Sequence, residues 1–482
     1  MKAKAVMVLG TTSAAGKSWL TTALCRWYAR QGVRVAPFKA QNMSNNARVV
    51  AGGEIGSAQY FQALAAGIPP DVGMNPILLK PEADTRSQVV MLGKVNQRLS
   101  RMPWRRRSRH VWPTIQRSLD ALLSSHDVVV IEGAGSPAEI NLQASDIVNM
   151  RVAKHADARC LLVTDIDRGG AFAHLYGTWK LLQKSDQKRI KGFVLNKFRG
   201  DATLLSPGPQ KLQKLTGIPT VAVLPMWREH GLPEEDGVYD ERDAVAASKK
   251  TKTIAILFCP RISNLDEFQP LKSLPGVRVR WAHQPKDLKG ADWVILPGSK
   301  HTPSDLQWMR ERRLDQAVRA HDSDGKAVLG ICGGLQMLGK NLRDPRGVEG
   351  SAKGLDLLPL VTEFKPRKIV RQKQATFMPL TGLWSALSNL PIHGYEIHNG
   401  RTSAFSNGTS ARPVMSGNLA WQNKKGNILG LYMHGLFENP VVLHALFGAA
   451  SPELTNVFNG LADFIEDHFR HGFLKSLVTD KS

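Results

Sequence analysis

Two short runs in this chain hold residues whose types and spacing suit bond-making chemistry. The first is Gly330-Ile331-Cys332-Gly333-Gly334, an apolar run that ends on a cysteine between glycines. A nucleophile elbow needs small neighbours because its strand-to-helix turn is tight and the thiol must project from it; the helix that follows favours thiolate. A buried structural cysteine would not need glycine on both sides. A thiolate that attacks a carboxamide also needs a proton partner. Among fourteen histidines, His434, just after the apolar run 428–432, is the best-placed base. The turn 296–300 supplies backbone N–H groups for a tetrahedral oxyanion. His393 and His398, around Gly394-Tyr395-Glu396, either orient an acceptor or simply pack.

The second run follows the apolar residues 5–9: Gly10, then Gly16-Lys17-Ser18, then the amphipathic stretch 19–30. Strand, glycine loop and helix in that order fold amide N–H groups around phosphates. Lys17 neutralises the outer phosphates and the Ser18 hydroxyl ligates Mg²⁺. The metal also needs carboxylates, and the apolar run 128–131 delivers Glu132 at its C-terminal end, where ligands of parallel sheets sit. Glu54, in Gly52-Gly53-Glu54-Ile55-Gly56, is a second candidate, and a solvated glutamate at a helix start explains it equally well. Asn196, after the run 192–195, either reads a base edge with its amide or forms a turn. The polar segment 39–46 makes a poor core and a plausible pocket wall. Residues 74–81 and 84–90 place basic and amide groups at expected loop positions, where they either hold an anionic acceptor or are ordinary loop polarity.

Positioning these groups takes two α/β units. At 482 residues the chain exceeds one core, and 42% hydrophobic with 22% charged residues is the profile of a packed protein. Apolar runs at 5–9, 33–37, 128–131, 160–164 and 192–195 alternate with amphipathic stretches, which predicts a P-loop parallel sheet covered on both faces. Runs at 253–258, 277–281, 293–296, 327–330 and 428–432 begin a second α/β series. The expected division is a synthetase domain over 1–235, a polar linker over 236–250, a second domain over 251–450, and a helical tail over 451–482 packed on that second domain.

Four scattered cysteines form no C-x-x-C pair, so neither a zinc site nor a disulfide framework is expected. No signal peptide or membrane-length apolar run is present, which predicts a cytoplasmic protein. The net charge of +23 is concentrated in part at Arg105, Arg106, Arg107 and Arg109. No nucleic-acid-binding signature accompanies that cluster, and a basic surface that attracts anionic substrates explains it more simply.

In this setting the chain resembles the cobyric acid synthase family over nearly its full length. The resemblance rests on an ordered series: Gln41-Asn42-Met43-Ser44, Gly52 to Gly56, Asn75 to Pro81, Ser87 to Val90, Ile131 to Asn141, Leu296 to Ser299, Gly394 to His398 and His434 to Glu438. It implies a dethiobiotin-synthetase-like ATP domain and a flavodoxin-like class I glutamine amidotransferase domain of the variant type. It implies glutamine, ATP and Mg²⁺ as small-molecule partners, with a corrinoid polycarboxylate as acceptor: adenosylcobyrinic acid a,c-diamide, amidated at its b, d, e and g carboxylates. By the same resemblance Gly16, Lys17 and Ser18 match phosphate and Mg²⁺ positions, Lys39 a phosphate or substrate lysine, Glu54 and Glu132 metal carboxylates, and Asn196 the base-reading amide. The neighbouring alternative, cobyrinic acid a,c-diamide synthase, shares both modules, and the Gln41 to Ser44 motif argues against it. A P-loop ATPase with a non-catalytic second domain is disfavoured by Cys332 and His434.

Three positions depart from related patterns. Ser57 stands where an arginine is expected, the arginine stretch 105–109 is atypical, and Leu436 occupies the place, two residues after the catalytic histidine, where ordinary class I amidotransferases carry glutamate. This resembles the variant group, which works with a Cys–His pair, and whether Glu438 or Glu396 orients His434 is left open.

Overall fold

A computed structural model describes residues 3–83, 85–233, 252–405 and 411–479. The linker expected over 236–250 lies outside the described residues.

The first half opens with β1 (Lys4–Gly10), the phosphate-loop helix α1 (Lys17–Arg30) and β2 (Val35–Phe38). A short antiparallel hairpin, β3 (Ala47–Val50) and β4 (Gly53–Gly56), leads into α2 (Ser57–Ala66). The long helix α3 (Trp104–Ser125) precedes β5 (Val128–Glu132), β6 (Arg159–Asp165), β7 (Ile190–Phe198) and β8 (Thr220–Pro225). Six of these strands form one parallel sheet in the order β8-β7-β6-β1-β5-β2. The two-residue period of a strand sorts the core into two layers. Val6 and Val8 of β1 join Val128 and Val130 of β5 under α1, while Met7 and Leu9 join Val129 and Ile131 under α3. Burial on both faces is why these strands read as unbroken apolar runs. The segments expected as loops at 74–81 and 84–90 are instead the paired strands Ile77–Ala83 and Arg86–Met91. Ile77, Leu79 and Val89 are buried on one face and Leu78 and Val90 on the other, so burial on both faces outweighs the polar residues beside them.

The second half contains β9 (Lys252–Leu257), β10 (Val277–Ala282), β11 (Trp293–Leu296), β12 (Ala327–Ile331) and the short helix α4 (Gly333–Leu338). A long antiparallel pair follows, β13 (Leu360–Thr376) and β14 (Pro391–Ala404), then β15 (Ala411–Met415), β16 (Ala420–Asn423) and β17 (Ile428–Leu431). The sheet order is β10-β9-β11-β12-β17-β16-β15, parallel as far as β17 and antiparallel beyond it. Taken alone, the five parallel strands have the 2-1-3-4-5 order of a flavodoxin-like sheet.

The tail corrects an expectation: it packs on the first half, not the second. Helix α5 (Leu454–His468) turns Phe458, Leu461, Ala462 and Ile465 onto the layer that holds α1. Arg26 donates to Asn459 Oδ1 at 2.8 Å, Tyr28 Oη to the Leu474 carbonyl at 2.9 Å, and the Arg470 amide to Val221 O at 2.9 Å. The apolar stripe of this helix covers sheet and α1 surface that the elements nearer in sequence leave open.

Candidate active site

The phosphate end joins the start of α1 and one face of α2 to residues at strand ends. β1 stops at Gly10, and the loop reaches α1 through Ala14 at φ 57° and Gly16 at φ 97°. Only glycine suits the second position, since a side chain there would also strike the Asn196 amide. Lys17 is buried and donates from Nζ to Thr12 O at 2.9 Å. Ser18 Oγ donates to Glu132 Oε1 at 2.7 Å, and Lys39 Nζ meets the same oxygen at 2.7 Å. The other Glu132 oxygen accepts from Gln62 at 2.6 Å and Gln59 at 3.3 Å. Burial opposes ionisation of Glu132, but the Lys39 ammonium and these donors outweigh it and hold the carboxyl below its ordinary range. Asn196 Nδ2 donates to the Ala15 carbonyl at 2.9 Å, which places this side chain against the loop.

Sequence reading missed Gln59 and Gln62. Their three-residue spacing puts both on one face of α2, directly after the glycine-rich hairpin, and that was the available signal. The oxygen pair of Ser18 and Glu132, beside a helix N-terminus, has the hard-donor chemistry that suits Mg²⁺ shared with phosphates. Among the described residues no three His, Cys, Asp or Glu gather into a metal cage of protein ligands alone.

Glu54, expected as a metal carboxylate, is paired with lysines. Its carboxylate lies between two lysines, Lys80 on one oxygen and Lys368 on the other at 2.6 Å, and Lys368 belongs to the second half. Burial opposes its ionisation, yet Lys368 and Lys80 together draw the carboxyl down to about 2. The hairpin β3–β4 turns this residue toward the second half, while Ser18 and Glu132 face the phosphate loop.

At the other end Cys332 sits between β12 and α4 with φ 51° and ψ −101°, the strained geometry of an elbow. Its flanking glycines are required by close approach: a Cβ at Gly333 would meet the Ser299 backbone, and one at Gly334 would strike the Leu296 carbonyl. The same contacts bring the 296–300 turn beside the thiol. The Lys300 amide is engaged by Arg261 O at 2.8 Å and Gly298 is paired with Ser263 in a short antiparallel ladder, so Ser299 is the turn's remaining oxyanion candidate. Cys332 is buried, with Sγ 3.6 Å from Ile397 O.

His434 follows β17 and exchanges backbone hydrogen bonds with Tyr395 at 2.9 and 3.3 Å. Its Nδ1 lies 2.9 Å from Glu267 Oε1, and the other oxygen of Glu267 accepts from the Gly435 amide at 3.0 Å. Burial alone would lower the imidazole. The Glu267 carboxylate and the neighbouring Cys332 reverse that and raise it to about 10.

Neither Glu438 nor Glu396 meets His434. Glu438 pairs with Arg48, and Glu396 with His398 at 3.0 Å and Arg371 at 2.6 Å. The orienting residue is Glu267, which precedes His434 by 167 positions and carries no local motif. Of the two other histidines, His398 stacks on Tyr432 with centroids 3.9 Å apart, and His393 is exposed.

The cavity at Cys332 and His434 has walls from both halves, Asn45 and Lys80 from the first and Lys368 and Glu349 from the second. Burial pushes Glu349 up to about 7 and Lys368 down to about 8, the latter despite Glu54. A larger cleft of about 750 Å³, beside His301 and Arg310, is lined by neither Cys332 nor His434.

Together, fold and site define a glutamine amidotransferase joined to a nucleotide-binding P-loop domain. Residues 6–233 match the CobQ/CobB/MinD/ParA nucleotide binding domain, and residues 253–442 the CobB/CobQ-like glutamine amidotransferase domain. A cobyric acid synthase of Variovorax paradoxus (strain S110) is 66% identical over 479 residues, covering 99% of this chain and 100% of its own length. One of Polaromonas naphthalenivorans (strain CJ2) is 66% identical over 485 residues, with 99% and 100% covered. The chain belongs to the cobyric acid synthase family. A solved glutamine amidotransferase, 19% identical, covers 44% of this chain and 98% of its own with a TM-score of 0.30, too low to carry any inference.

Proposed function

We propose that this protein uses ATP and glutamine to amidate the b, d, e and g carboxylates of adenosylcobyrinic acid a,c-diamide, as cobyric acid synthases of cobalamin biosynthesis are expected to do, and that it works in the cytoplasm. The observation that carries the reading is the Cys332, His434 and Glu267 relay in a cavity whose wall includes residues of the nucleotide-binding half. Among the described residues no helix is long and apolar enough to cross a membrane.

The two halves answer two chemical problems. A carboxylate is a poor acylating agent, and ammonium is not a nucleophile at neutral pH. At the phosphate end a corrin carboxylate oxygen attacks the γ-phosphorus of ATP, ADP leaves, and an acyl phosphate forms. Lys17 and the loop amides bind the phosphate oxygens, and Lys39 lies ready for phosphate or acceptor. Mg²⁺, held through Ser18 and Glu132 with the nucleotide's own oxygens, would neutralise charge on the phosphates. Asn196 closes the loop from above and is the proposed contact to the base.

At the other end the Cys332 thiolate attacks the glutamine carboxamide carbon. His434, steadied by Glu267, gives its proton to the departing nitrogen, and NH₃ leaves a glutamyl thioester. Water then attacks the thioester, His434 takes its proton, and glutamate departs. The freed NH₃ attacks the acyl phosphate carbon, inorganic phosphate leaves, and a proton is lost to give the amide.

Incubation with ATP, Mg²⁺, glutamine and corrinoid acids tests this directly by mass spectrometry. Stepwise conversion of four carboxylates to carboxamides in the a,c-diamide, with ADP and glutamate formed in step, is the expected result. Amidation of only the a and c positions of the unamidated ring, or ATP hydrolysis without amide, would sink it.

A further inference from the structure

Arg48 belongs to the nucleotide-binding half, yet its side chain is only 3% exposed and finds its acids in the other half. Nε donates to Asp266 Oδ2 at 2.9 Å, a second guanidinium nitrogen reaches the same oxygen, and the third meets Glu438. Asp266 is the residue before Glu267, so the acid that holds His434 shares a backbone with the acid that holds Arg48. The same strand clamps that turn twice more: the Leu265 amide donates to Asn46 Oδ1 at 2.9 Å and the Ala47 amide to Asn264 Oδ1 at 3.1 Å. Asn264 stands at φ 55°, a left-handed conformation that needs such support outside glycine.

The opposite wall of the imidazole leads to the same guanidinium. The Tyr395 ring stacks on His434 with centroids 5.4 Å apart, and Arg48 lies 5.3 Å over that ring. His434 is therefore held between Glu267 and Tyr395, and Arg48 touches the support of both. Cohesion of the two halves does not by itself call for this arrangement, because apolar contacts often replace a buried ion pair without loss of stability. A rigid guanidinium fork does what an apolar contact does not: it fixes the direction of the carboxylates it binds.

We propose that Arg48 is a positioning residue of the glutaminase centre, holding the 264–267 turn so that Glu267 meets His434 only when the nucleotide-binding half is docked. The proposal rests on the reading of Cys332 and His434 as nucleophile and base. Its consequence is that release of NH₃ from glutamine depends on the half that consumes it.

The test is a double-mutant cycle in the full chain with Arg48→Met, Arg48→Lys and Glu267→Gln. It reads kcat and KM for glutamine hydrolysis, with ammonium-dependent amide synthesis as the check on fold. Arg48→Met should lower glutaminase kcat between about tenfold and a hundredfold, the scale of a misplaced catalytic group. KM for glutamine should stay within about twofold, since the residue does not bind substrate. Arg48→Lys should restore part of the loss. In a Glu267→Gln background Arg48→Met should cost less than about twofold more, because both changes act on one contact. Multiplicative losses, or parent kcat in Arg48→Met, would overturn the proposal. Should Arg48→Met not fold, the cycle is run with Arg48→Lys against the same criterion. Parent-rate hydrolysis by Cys332→Ser would instead overturn the reading beneath it.

Discussion

The two reaction centres of this chain are assembled in opposite ways. The phosphate end has a contiguous heart: Gly16, Lys17 and Ser18 are consecutive at the start of α1, and Glu132 and Asn196 close on it from β5 and β7. The glutamine end gathers Glu267, Cys332 and His434 from three distant segments, and Arg48 of the other half braces their turn. The reason lies in what each ligand requires. Phosphates are bound largely by backbone amides at a helix start, which a short run of sequence specifies. A proton relay needs side-chain atoms at hydrogen-bond distance, and only packing brings those together.

Electrostatics separate the centres as well. The phosphate end holds a carboxyl drawn below its ordinary range by a lysine, whereas the glutamine end holds an imidazole raised by the Glu267 carboxylate and the neighbouring Cys332.

The largest expected effect isolates the glutamine end. Cys332→Ser should lower glutamine-dependent synthesis by about 10⁴-fold or more, the scale of a lost nucleophile, while synthesis from ammonium salts at raised pH persists. His434→Ala should follow the same pattern. Loss of both activities in folded protein would mean that the two centres cannot be treated separately.

Lys17→Ala does the reverse. It should lower synthesis by about a hundredfold or more with either nitrogen source, because a missing charge on the phosphates affects both routes alike. Normal turnover at saturating ATP would remove the loop from the chemistry.

Glu267→Gln sharpens the contrast in charge. It removes the carboxylate that raises His434, so the alkaline limb of glutaminase activity, expected near pH 10 in the parent, should move down. The rate at neutral pH should fall between about tenfold and a hundredfold. The sign for stability is the same in origin: a histidine raised from 6.5 to about 10 contributes fully below pH 6.5 and loses that contribution as pH rises through 10. An alkaline limb that does not move would show that Glu267 does not tune the base.

The smallest kinetic difference separates two glutamates. Glu132→Gln should raise the Mg²⁺ concentration needed for half-maximal synthesis about tenfold. Glu54→Gln should leave the Mg²⁺ titration unchanged and instead destabilise the fold by about 3–5 kcal/mol, since it strands Lys80 and Lys368 without their shared partner. Glu54, lowered from 4.5 to about 2, contributes stability above pH 4.5 that is lost as pH falls through 2. Acid titration of unfolding in the two variants reads that difference. A shifted Mg²⁺ titration in Glu54→Gln would return that residue to the phosphate end.

Most of both sheets was legible as apolar runs because parallel strands are buried on two faces, and every run named overlaps a strand, though β8, β15 and β16 were not named. The long antiparallel pair β13–β14 was not legible, since much of it is exposed and its alternation is interrupted by charged residues. The tail was readable as a helix but not as a partner of α1, because an apolar stripe states that it will be covered and not by what. Glu438 and Glu396 were reasonable candidates by nearness in sequence. Both turned out to serve arginines instead, while the orienting acid came from a segment with no signature.

Sequence by itself determined the things that backbone geometry and local spacing encode: the phosphate loop with Lys17 and Ser18, the strand-end Glu132, the elbow at Cys332, His434 after its strand, and two α/β units in series. Tertiary structure alone decided what depends on pairing charges across the fold: Glu267 on His434, Lys39 with Gln59 and Gln62 on Glu132, Glu54 between two lysines, and Arg48 across the two halves. Burying a charge without a partner is costly, but any distant residue of opposite sign meets that need, so the choice is made by packing and leaves no local trace in the chain.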